Sequence, residues 1–84
     1  MGRAIVSVKR IMDVQAYDLE VPTDMGSSDL ASMIAELLGW NCDMEGRKIY
    51  YRIEAKPCGK TLQPGENLED VGAMDGSWLI FHEM

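Results

Sequence analysis

At 84 residues, with 46% apolar and 26% charged side chains, the chain has room for one domain and one modest core. Fourteen acidic against eight basic residues give a formal charge of −6, and no basic stripe interrupts the acidity, so nucleic acid is not an expected partner. No apolar run is long enough to span a bilayer and no leader pattern stands at the start, so the protein reads as cytoplasmic, without direct membrane insertion. Met1-Gly2 resembles the opening of an acylation signal, but Val6 stands where that motif requires Ser or Thr.

The first segment, Arg3 to Met12, is β-rich. Ala4, Val6 and Val8 alternate with Ile5, Ser7 and Lys9, which fits a strand in the middle of a sheet with the valines inward and Ile5 on the other face. A short link, Asp13 to Gln15, leads to Tyr17, Leu19 and Val21 alternating with Asp18 and Glu20. Two strands so closely joined form an antiparallel hairpin, and Pro22 removes the donor that would extend it. The segment Thr23 to Ser27 then leads to the only sustained helical period, Ser28 to Gly39. Leu30, Ile34, Leu37 and Leu38 form its expected apolar face. Ser27 or Ser28 is its expected N-cap, and Gly39 its left-handed terminator, with Trp40 folding back on Ile34 and Ala35.

The polar loop from Asn41 to Lys48 carries Met44, expected to cover the bottom of the core. Ile49, Tyr51 and Ile53 alternate with Tyr50, Arg52 and Glu54 as a third strand, and Lys60 to Gln63 reads as a brief fourth with Leu62 inward. Pro64-Gly65 fits a type II turn, and Asn67 can cap a single helical turn whose Leu68 and Val71 plug the core. Asp75-Gly76 turns the chain into a last strand, Ser77 to His82, with Leu79 and Phe81 on the side opposite Trp78, Ile80 and His82.

This order, a hairpin, a helix, two strands, a helical turn and a final strand, is that of an α+β, ubiquitin-like β-grasp, with a mixed sheet of four or five strands on one α-helix. YDLEVP at 17 to 22 and GKTLQPGENLEDVGAMDGSWLIF at 59 to 81 resemble ubiquitin's second strand and C-terminal half. With YYRIEAK and NLEDVGAMDGSWL, the chain is more narrowly similar to the YukD-like family, small bacterial ubiquitin-like proteins of type VII (ESX-type) secretion. The resemblance implies a non-enzymatic, non-conjugating adaptor docking onto a protein component of a secretion complex. It also implies that self-association as a homodimer and recruitment to the membrane by a partner are open to it.

Conjugating and sulfur-carrying members of the fold act through a tail ending in Gly-Gly, whereas this sequence ends FHEM, so a modifier or carrier is the disfavoured alternative. A stand-alone regulatory module is a third reading. No catalytic residue, metal site or cofactor is expected. His82 is the only histidine, Cys42 and Cys58 lack metal-ligand spacing and read as free thiols, and an iron–sulfur cluster of the ferredoxin kind would need four spaced cysteines. Strand parity sends Ser7, Lys9, Asp18, Glu20, Tyr50, Arg52, Glu54, Trp78, Ile80 and His82 to the outer face of the sheet, with Ile5 beside them. Of these, Tyr50, Arg52, Trp78, Ile80 and His82 are the candidate protein-binding residues, rich in the types found at interface hot spots. The same residue types also suit an ordinary half-exposed sheet.

Overall fold

A computed structural model describes residues 2–84, so the Met1 half of the Met1-Gly2 opening lies outside the described residues. Five strands and one helix follow one another as β1 (Arg3–Arg10), β2 (Tyr17–Pro22), α1 (Ser27–Leu38), β3 (Tyr51–Lys56), β4 (Lys60–Thr61) and β5 (Trp78–Glu83). They form one sheet in the order β2-β1-β5-β3-β4, and α1 covers one face. β1 lies between antiparallel β2 and parallel β5, as its two apolar faces require: Ala4, Val6 and Val8 are buried while Ile5 is open on the other side. β3 completes the centre by pairing antiparallel with β5, placing Ile53 opposite Phe81 and Arg52 opposite His82.

The core is the space between the sheet and α1, filled by Val6, Val8, Leu30, Ile34, Ile53, Leu79 and Phe81, with Leu62, Leu68 and Val71 closing one side. At roughly 1.5–3 kcal/mol for each fully buried aliphatic or aromatic side chain, this layer is the main favourable term for folding. Asn67 and Asp70 cap each other reciprocally, the Asp70 N–H donating to Asn67 Oδ1 at 2.8 Å and the Asn67 N–H to Asp70 Oδ2 at 3.0 Å. That exchange shapes the turn that delivers Leu68 and Val71 to the core.

Three expectations are corrected. The helix N-cap is Gly26, without a side-chain cap, because the Ser27 hydroxyl instead donates to the Gln63 carbonyl at 2.9 Å and ties α1 to the loop after β4. Leu37 is 67% exposed: the buried stripe of α1 runs through Ser27, Leu30, Ala31, Ile34 and Ala35, so the helix presents its alanines inward and turns Leu37 out. Met44 is wholly exposed and covers nothing. Asp43 Oδ1 accepts the N–H groups of Glu45 and Arg47, each at 2.9 Å, which closes the loop on itself and leaves Met44 at its tip.

The end of the core assigned to Met44 is sealed by aromatic rings. Gly39 adopts φ 76°, and the Trp40 N–H donates to the Ala35 carbonyl at 2.7 Å, the fold-back expected of a glycine-terminated helix. The Trp40 ring then meets Phe81 edge-on at 5.4 Å, Tyr51 packs on Phe81 at 5.5 Å, and the Arg10 guanidinium lies 5.0 Å from the Trp40 ring. The Tyr51 hydroxyl donates to the Trp40 carbonyl at 3.0 Å, and burial pushes its phenol above its ordinary pKa.

Candidate protein-docking face

The alternation that buries Leu79 and Phe81 turns Trp78, Ile80 and His82 to the opposite side of β5, where β1 and β3 flank them. Trp78 stands between Ser7 and Lys56 in register, Ile80 between Lys9 and Glu54, and His82 across from Arg52. All five sequence-selected residues fall on or beside this outer face, but with different accessibility. Tyr50, just before β3, is exposed, with Lys48 Nζ 5.6 Å from its ring centre, and Arg52 is exposed as well. Trp78 is 43% exposed. Ile80 is only 6% exposed, enclosed by its cross-strand and same-strand neighbours, so it supports the face from below instead of presenting a contact. His82 is half-buried, its Nε2 3.0 Å from Glu54 Oε1.

Charge is unevenly arranged on this side. Arg3 meets Glu20 at 3.5 Å, the Ser7 hydroxyl donates to Asp18 Oδ1 at 2.8 Å, and Glu54 is engaged by His82. Lys9, Arg52 and Lys56 enter no ion pair among the described residues. In a chain of formal charge −6, β1 and β3 thus carry unpaired cations along both sides of β5, with Lys56 in register with the exposed indole. Two contributors were missed in the sequence. Lys56 continues the outward parity of Arg52 and Glu54 and needed only one more step along the strand. Ile11 lies past the end of β1, where its N–H donates to the Phe81 carbonyl at 3.0 Å while its side chain stays exposed with those of Met12 and Val14.

Two solved structures superpose on nearly the whole chain. The ubiquitin-like domain of tubulin-binding cofactor B does so with a TM-score of 0.69 at 16% identity, over 98% of this chain and 90% of that one. The ubiquitin of Caldiarchaeum subterraneum gives a TM-score of 0.67 at 14% identity, over 99% and 95%. The chain has a ubiquitin-like fold. No protein-family profile and no curated protein matches the sequence. In this ubiquitin-like frame Cys42 and Cys58 are separate, exposed thiols, the Cys58 Sγ–H donating to the Ala55 carbonyl at 3.2 Å. Among the described residues no cluster of three metal-capable side chains occurs, and no helix is long and apolar enough to cross a membrane.

Proposed function

We propose that this ubiquitin-like chain is a docking module whose outer sheet face binds a protein surface carrying acidic and apolar groups. One observation carries the reading: on a chain that is otherwise strongly acidic, Lys56 stands opposite the exposed Trp78, Lys9 opposite Ile80 and Arg52 opposite His82, all three cations unpaired among the described residues. Aromatic and arginine side chains supply a disproportionate share of interface energy, and complementary charge accelerates encounter and fixes register. A face of this kind works by contact, with no need for a reacting group or a transferred terminus.

The finer form of the proposal is an adaptor of a bacterial type VII secretion system, working in the cytoplasm and recruited to the membrane by its partner. The similarity of Tyr17–Pro22, Tyr50–Lys56 and Asn67–Leu79 to the YukD-like pattern supports it. Photocrosslinking in the native cells tests both levels. With p-benzoylphenylalanine in place of Trp78, the expected product is a heterodimeric adduct with a secretion-machine subunit, and the same group in place of Leu37 on α1 gives none. Adducts confined to Leu37 would remove the docking face. An adduct at Trp78 with a second copy would assign the face to self-association, and covalent attachment through the C-terminus in the presence of ATP and an activating enzyme would replace docking with conjugation.

A further inference from the structure

A second surface is a channel between α1 and β3, bordering the docking face at Tyr50. Ser28, Ala31, Ser32 and Ala35 form its helix wall and Ile49 and Tyr51 its strand wall, enclosing about 320 Å³. A neighbouring hollow of about 300 Å³ shares Ser28, Tyr51 and Met84 with it and continues along β3 to Leu62 and Pro64. Small side chains on the helix keep the channel open, but its main-chain chemistry is what defines an occupant.

The Met84 N–H donates to the Tyr50 carbonyl at 3.0 Å, so Tyr50 faces β5 and the peptide groups of Tyr51 face away from it. On that far side two straps cover β3. The Ile49 N–H donates to the Asn41 carbonyl at 2.9 Å, and the Leu62 N–H donates to the Ile53 carbonyl at 2.8 Å. Tyr51 lies in the gap between them. Its N–H and C=O turn toward the channel and meet no partner among the described residues, although the residue as a whole is buried. A strand edge with a free donor and acceptor is matched by one kind of ligand, another extended backbone. The helix wall adds a charge preference. Asp29 and Glu36 border the channel against one cation, Lys48, whose Nζ lies 5.6 Å from the Tyr50 ring centre; none of the three enters an ion pair among the described residues, and the last turn of α1 holds no basic residue. At that end of a helix a cation is favoured by the dipole as well as by the carboxylate.

We propose that the channel seats an extended peptide segment of a partner protein, which exchanges two main-chain hydrogen bonds with Tyr51, packs an apolar side chain between Ala35 and Ile49, and sets a Lys or Arg against Glu36. The channel meets the docking face at Tyr50 and its continuation does so at Arg52, but the helix positions that test it, Ser32 and Glu36, lie off that face.

A phage library of random heptapeptides, selected on the full chain, provides the probes, and the enriched peptides are then synthesised and titrated by fluorescence polarisation. The expected peptides carry Lys or Arg beside an apolar residue. Ser32→Trp and Glu36→Lys, both at exposed helix positions, each weaken binding at least tenfold with the helical circular dichroism unchanged. A peptide with Glu in place of its cation recovers affinity for Glu36→Lys. N-methylation of the pairing peptide amide also costs at least tenfold, and the bound peptide slows hydrogen exchange at the Tyr51 amide. Lys56→Glu, on the outer face, changes nothing. Failure to enrich peptides over an unfolded-chain control, an acidic consensus, binding that survives Ser32→Trp, or binding lost in Lys56→Glu would each overturn the assignment.

Discussion

Ile5 and Ile80 form a matched pair on the outer face, the same side chain on adjacent strands at 54% and 6% exposure. Replacing either with alanine removes three carbons, worth about 0.8 kcal/mol each when fully withdrawn from water, or about 2.4 kcal/mol at the limit. Scaled by burial, Ile80→Ala is expected to cost about 2 kcal/mol and Ile5→Ala about 1 kcal/mol. The extra cavity term should be small at Ile80, because the Lys9 side chain beside it enters no ion pair among the described residues and can close over the gap. The loss of β propensity is common to both variants and cancels in the difference. For a domain of this size each kcal/mol moves the midpoint by about 4–8 °C, so the two variants should differ by several degrees. Urea titrations with unchanged slopes give the free energies directly. Equal losses, or a larger loss at Ile5, would refute the claim that Ile80 is a buried support for this face.

Gly39→Ala meets no atom within 4 Å but forces an L side chain to φ +76°, so a loss of about 1–2 kcal/mol is expected from the backbone alone, measurable by thermal unfolding. Tyr51→Phe strips the Trp40 carbonyl of its side-chain donor and should cost about 0.5–1.5 kcal/mol by the same assay, with the core otherwise intact. Asp13 is held below its ordinary carboxylate pKa, chiefly by its hydrogen bond from Arg10, whose Nε donates at 2.8 Å. Because the folded value is depressed, the pair stabilises fully above the unfolded pKa of about 3.9 and fades as pH falls through the lower folded value. The stability gap between wild type and Asp13→Asn, about 1 kcal/mol for a pair at the surface and only partly buried, should be constant from about pH 5 to 8 and shrink below about pH 4.

The architecture is legible because the longer strands alternate in their side chains. Val6 and Val8 against Ile5, and Leu79 and Phe81 against Trp78, assign faces without knowledge of the neighbours. What escaped the sequence depended on long-range partners. Ser27 looks like a helix cap until Gln63, 36 residues away, takes its hydroxyl. Leu37 and Met44 look like core until the alanine stripe, the aromatic cluster at Trp40 and the Asp43 turn occupy the places they would fill. Strand parity puts Ile80 on the outer face, yet its burial comes from side chains on two other strands, which no local pattern encodes. The unpaired Tyr51 peptide was invisible for the same reason. It exists only because one strap ends at Ile49 and the other begins at Ile53.

The central claim is that positive charge and an exposed indole on the outer face hold the partner. Titration of the protein crosslinked through position 78, purified and tested against wild type and the exposed-site double variant Arg52→Glu/Lys56→Glu, addresses it most directly. Affinity is expected to fall at least about tenfold, with a weaker dependence on ionic strength and an unchanged unfolding midpoint. An unaltered isotherm, or tighter binding, would contradict the account.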